Sequence, residues 1–219
     1  ELKRVCHAMG ISINEYLVSV YIWSVYTECL HGMPSKCPIR VAVPVNLRPY
    51  FNSITTKNFF VMVSAEFHPT KETYTFAEVA AIVKESLRSQ INRENLEKLF
   101  SYNVSNEKLL IARVVPLFLK NLAMKYVYTT SALANTATIT NIGNISVTEE
   151  YRPYVEMFHA FLAMSKGQHL KGTICSYGDT LVFSFSYDLV DASVQRGFFR
   201  KIASDGIAVE IKSNGVNYE

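Results

Sequence analysis

The chain has 219 residues, enough for one large domain or two small lobes with a sizeable core. Hydrophobic residues make up 49% and charged residues 19%, a balance that excludes disorder. The net charge of +3, with no basic run interleaved with aromatics, excludes the electrostatic footprint of a nucleic-acid binder.

Residues 12–31 predict a buried helix. Ser12 or Asn14 can cap it, Leu17, Val20, Tyr21, Trp23 and Leu30 recur at near-helical spacing, and His31-Gly32 stop it. Two β-rich runs follow, 39–46 and 58–68, with Pro44 marking the first as an edge or strand end. A helix over 75–91 is announced by Thr75 and Glu78 in capping-box spacing. Further helical stretches are predicted over 93–101 and from Ser105 to about Tyr128, the last kinked at Pro116. Beyond Ala134 the pattern turns to strand, in runs 136–142, 151–163, 170–177 and 180–187 punctuated by Gly143-Asn144 and Gly178-Asp179. The run from Leu181 to Tyr187 alternates, with Leu181, Phe183, Phe185 and Tyr187 on one face. A helix over 190–204, capped by Asp188 or Asp191, and a strand over 207–212 complete the chain.

This order predicts an α+β fold, a mixed α/β two-layer sandwich. Its mixed sheet has five or six strands, helices mainly on one face, and the strand of Phe183 and Phe185 at the centre. Regular βαβ alternation and a GxGxxG are both absent, which excludes a doubly wound dinucleotide fold.

Few residues offer chemistry. His68 has Glu72 four residues on, but Pro69 takes the chain out of the strand, so a solvated strand end is expected. His159 is expected to be packed in a sheet. No GxSxG, P-loop or HExxH is present. Cys6, Cys29, Cys37 and Cys175 have neither zinc nor disulfide spacing, which points to reduced thiols and a cytoplasmic setting. No apolar run approaches about 18 residues without charge, so no membrane span is expected. The opening Glu1-Leu2-Lys3-Arg4 has no Met and no apolar stretch after it. It is not a signal peptide, and the expectation is a chain that begins within a longer protein or has been trimmed.

The segment Asn46-Leu47-Arg48-Pro49-Tyr50-Phe51, followed by Asn58-Phe59-Phe60, is unusual in placing an amide and a guanidinium at a strand end. It suits either a solvated loop arginine or one aimed inward to fix a carboxylate. It resembles the alcohol acetyltransferase and wax-ester-synthase-like branch of the chloramphenicol-acetyltransferase superfamily, and is similar to a motif in the second half of peptide-synthetase condensation domains. Gly10 to Leu17 looks like the helix opening that second half, Thr138 to Gly143 like a later strand-turn facing the channel, and Phe183 to Asp188 with Phe198-Phe199 like the closing strand and helix. The resemblance spans essentially the whole chain.

It implies two similar lobes with a channel between them. The base would be the second His of HHxxxDG on the first lobe. That group takes the proton of an alcohol or amine, which attacks a thioester carbonyl. No histidine here lies in that motif, so residues 1–219 are expected to form the C-terminal lobe, without a catalytic residue and without the N-terminal lobe that would be its partner. Asn46 and Arg48 are implied as a latch to the Asp of the motif. Thr140 and Asn141 are candidates for a channel or oxyanion contact. Neither a bound cofactor nor a metal is expected. Acyl-CoA or a carrier-bound thioester is the implied co-substrate and a small-molecule alcohol or amine the acceptor. Tyr50, Phe51, Phe59 and Phe60 are expected to expose an apolar face through which the chain meets the first lobe or itself. Alternatives are a condensation-like lobe that binds a carrier without transferring anything, and a purely structural or interaction lobe.

Overall fold

The computed structural model describes residues 1–108, 115–165 and 167–214. Helix α1 (Leu2–Met9) ends at Gly10, whose φ of 63° makes a left-handed cap. Helix α2 (Ile13–Ser24) starts at Ser12, whose hydroxyl accepts from Glu15 N at 3.1 Å while the Glu15 carboxylate accepts from Ser12 N at 2.7 Å. A π-helical turn (Val25–Cys29) extends it, and left-handed His31 and Gly32 end it. Tyr16, Leu17, Val18, Val20, Tyr21 and Ile22 are all buried, so α2 is apolar around its circumference and forms the axis of the core.

Strand β1 (Ile39–Asn46) pairs antiparallel with β2 (Phe60–Phe67), and the four-residue helix α3 (Arg48–Phe51) lies in the connection. Helix α4 (Phe76–Gln90) carries the predicted capping box of Thr75 and Glu78. Its Ser86 and Gln90 side chains bond the outward backbone groups of Glu66 and Ser64, which blunts the β2 edge. Helix α5 is one element, Arg93–Lys108, where two helical stretches were predicted. Residues 109–114 of the second stretch lie outside the described residues. Pro116 bends nothing, because helix α6 (Leu117–Leu133) begins just beyond it.

Strand β3 (Ala137–Asn144) follows, then β4 (Leu170–Tyr177), β5 (Thr180–Tyr187) and helix α7 (Ser193–Ser204). The sheet order is β2-β1-β3-β4-β5, with β1, β3 and β4 parallel and the outer pairs antiparallel. The fold is α+β with a five-stranded mixed sheet. Helices α2, α4 and α7 pack their buried faces with Val41, Val43, Val61, Val63, Ile139 and Ile174 in one core.

Several expectations fail for identifiable reasons. The strand of Phe183 and Phe185 lies at the sheet edge, because its alternation reports a buried face, not a central place. Those rings pack on Phe198 of α7 at 4.4 and 5.1 Å. Phe183 also crosses Gly172 of β4, where a Cβ would sit 2.6 Å from its ring. Residues 151–163 form no strand. A 3-10 turn (Glu149–Tyr154) containing Pro153 comes first, and an irregular stretch continues from it to 164. His159 is therefore exposed and stacked with Phe161, not packed in a sheet. Residues 207–212 form no strand either, and Ala208 N bonds the Glu1 carboxylate instead. Helix α7 starts later than predicted. Asp191 accepts from Ser193 N at 3.0 Å, while Asp188 pairs with His169.

Candidate functional site

The two residue pairs singled out from sequence lie on the neighbouring strands β1 and β3, toward the same end of the sheet. Asn46 is the last residue of β1, and Thr140 and Asn141 lie in the carboxyl half of β3. The strands are parallel neighbours, but their ladder covers only Val41 and Ala42 of β1 with Ala137 and Thr138 of β3. Beyond those residues the two strands are not paired, so their carboxyl halves part. The carboxyl ends of parallel strands are where open α/β sheets place their ligands.

Leu47 anchors the loop after β1. Its side chain is buried and its N–H reaches Phe59 O at 3.1 Å. Arg48 then opens α3 and is half-buried. Its Nε donates to Thr55 O at 3.0 Å, Nη2 to Lys57 O at 2.6 Å and Nη1 to Asn46 Oδ1 at 3.2 Å. Asn46 Oδ1 also accepts from Arg48 N at 3.1 Å. The guanidinium is thus the hub of the 46–57 loop, and no carboxylate pairs with it among the described residues. Three of its five N–H groups are engaged, and two remain to meet an acid.

Thr140 is half-buried on the sheet face opposite the helices and lies beside Thr173 of β4. Asn141 is exposed, and its Oδ1 accepts from Gly143 N at 2.8 Å across a break in the β3–β4 register. Gly143 has a φ of 88°, which a side chain would strain. This irregularity is what the Asn-x-Gly pattern encodes.

The apolar face expected from Tyr50, Phe51, Phe59 and Phe60 is only partly present. Tyr50, Phe51 and Phe59 are half-buried, with Phe59 edge-on to Phe51 and to Phe100 of α5 at 6.3 and 5.2 Å, and Phe60 alone is exposed. The larger apolar exposure is on α6, where Leu117, Phe118, Leu122 and Tyr126 are between 67% and 71% accessible.

Sequence reasoning missed the rest of the polar face. Lys171, Thr173 and Cys175 share the opposite side of β4 from Leu170 and Ile174. The signal was the period-two pattern of 170–175, which reads as an ordinary buried strand until the other face proves polar. As expected, His68 is exposed at a strand end, with its Nε2 3.0 Å from Ser35 O. No histidine bonds Asn46, Arg48, Thr140 or Asn141 among the described residues.

No family model matches the chain, and no curated protein matches it. Solved structures do. The nonribosomal peptide synthetase FmoA3 with alpha-methyl-L-serine-AMP bound superposes at a TM-score of 0.58 with 16% identity, covering 94% of this chain and 21% of that one. Polyketide synthase associated protein 5 from Mycobacterium tuberculosis gives 0.54 and 10% over 92% and 46%. A wax ester synthase/diacylglycerol acyltransferase from Marinobacter aquaeolei VT8 gives 0.49 and 14% over 94% and 46%. The chain thus has the chloramphenicol-acetyltransferase-like condensation-domain fold. The chain spans less than half the length of each of these proteins.

Proposed function

We propose that the chain is the C-terminal lobe of a two-lobed acyltransferase that moves an acyl group from CoA or a carrier-bound thioester to a small alcohol or amine. The observation that carries this reading is the placement of Asn46–Arg48 and Thr140–Asn141 toward the same end of the sheet, at the parting carboxyl halves of β1 and β3. In this reading the base belongs to the other lobe. The two N–H groups left on Arg48 latch onto an acid of that lobe's catalytic loop, and Thr140 and Asn141 line the channel where the thioester oxygen gains charge. The exposed apolar side chains of α6, among them Leu117, Phe118, Leu122 and Tyr126, fit a lobe with a neighbour. The isolated chain should then self-associate, which sedimentation velocity measures.

The test is release of free thiol from acyl thioesters by the 219-residue chain, by a protein extended with the upstream lobe, and by that protein carrying Arg48→Ala. The expected result is no release by the first, turnover by the second and loss in the third. Turnover by the isolated chain would overturn the assignment of the base, and an unimpaired Arg48→Ala would remove the latch. Thioester binding without release by the extended protein would favour a binding lobe over an enzyme.

A further inference from the structure

The face of the sheet turned away from the helices carries a set of polar side chains, two of which lack a strong acceptor. Its rows follow from the strand register. Thr138 of β3 stands beside Lys171 of β4, and Lys171 beside Ser186 of β5. Thr140, Thr173 and Ser184 form the next row. Lys171 is only 7% exposed, and no carboxylate pairs with it among the described residues. Its Nζ donates to Ala163 O at 2.8 Å and to Ser165 Oγ, both neutral, which leaves one N–H over. Thr173 is 2% exposed, and its Oγ1 makes no hydrogen bond among the described residues. A buried ammonium facing only neutral oxygens is costly, and so is an enclosed hydroxyl without a partner. Lying two residues apart on one strand face, the two groups stand roughly 6.6 Å apart along the chain. Both lack the same thing, a strong acceptor.

The roof over them is slight. Residues 155–165 are irregular, and Cys175 Sγ to Phe158 O at 3.1 Å, the Lys171 bonds and the Phe158–Tyr177 ring contact tie them to β4.

We propose that this face is a phosphate-binding site in which Lys171 and Thr173 supply the donors and residues 155–165 form the roof that the ligand loosens. The phosphate is that of a pantetheine arm, which CoA and carrier-bound thioesters share. That assignment rests on the reading of the chain as a thioester-using lobe. An incoming phosphate replaces the neutral acceptors of Lys171 with a charge, and the Ala163 carbonyl and Ser165 hydroxyl are released to water.

The experiment titrates the 219-residue chain with 4′-phosphopantetheine, pantetheine and inorganic phosphate, reading affinity by calorimetry and amide exchange across 155–165. Phosphopantetheine should bind saturably and speed exchange of the roof, and pantetheine should do neither. Lys171→Met should weaken binding about tenfold or more, the scale of one charge-assisted hydrogen bond. Lys171→Arg should restore part of it. Thr173→Val, which keeps shape and removes the orphan hydroxyl, should weaken binding without lowering the melting temperature, so a folding defect in Lys171→Met cannot mask the result. Binding of inorganic phosphate with no gain from the pantetheine moiety would assign the site to free phosphate. Equal binding by wild type, Lys171→Met and Thr173→Val, or no saturable binding at all, would overturn the site, and Lys171 would then only pin the roof. Thiol release in the extended protein reports separately on the lobe reading.

Discussion

Arg88→Ala tests how the two central helices are joined. Glu15, in the first turn of α2, has a side chain 9% exposed, and Arg88 of α4, 53% exposed, grips it through Nε–Oε1 at 2.7 Å and Nη2–Oε2 at 3.1 Å. Removing one partner of a fully buried pair costs about 3–5 kcal/mol. Here Arg88 is half in water and Glu15 keeps its bond from Ser12 N, so about 2 kcal/mol is expected. Burial pushes the Glu15 carboxyl up, but the bonds from Arg88 and Ser12 outweigh burial and hold it below its ordinary 4.5. A carboxyl lowered in the folded state stabilises the fold above its unfolded value, and that contribution is lost as pH falls through the folded value. The difference between wild type and Arg88→Ala should therefore be full at pH 7 and shrink below pH 4.5. Urea unfolding at pH 7 and at pH 3 measures it. A cost under about 0.5 kcal/mol at pH 7, or one that does not change with pH, would refute the argument.

Other substitutions test other parts of the structure. Gly172→Ala should destabilise by about 1–3 kcal/mol, because the new methyl meets the Phe183 ring and Ile139, and a thermal melt will show it. Arg48→Ala removes the hub of the 46–57 loop. It should cost about 1–2 kcal/mol in this chain alone and speed amide exchange from 52 to 59, and unchanged exchange would mean the hub does not hold the loop. In thiol labelling at pH 8, exposed Cys37 should react first. Cys6, whose thiol burial pushes to about 11, and Cys175, also raised by burial, should react only on unfolding.

Much of the local structure is legible before any folding is considered. The capping boxes at Ser12 and Thr75, the stop at His31-Gly32 and the strands β1, β2, β4 and β5 depend on neighbours within a few residues, and that information is in the sequence. Residues 151–163 carry a strand-like pattern without forming a strand, because aromatic runs suit both a strand and a strap laid over one, and only the presence of a partner strand separates the two.

What this sequence determines by itself is therefore most of the elements, the caps at Ser12 and Thr75, and the Asn46–Arg48 and Thr140–Asn141 pairs as polar exceptions at strand ends. What only the tertiary structure decides is lateral order and the company each side chain keeps. Period-two alternation places Phe183 and Phe185 on a buried face, yet says nothing of whether β5 is central or at the edge. The same alternation hides Lys171 and Thr173, since a residue opposite a buried one is polar whether it faces solvent or a roof of its own chain. Only the crossing of residues 155–165 over β4 leaves an ammonium and a hydroxyl enclosed without a strong acceptor, because contacts between residues far apart in the chain exist only once the fold has formed.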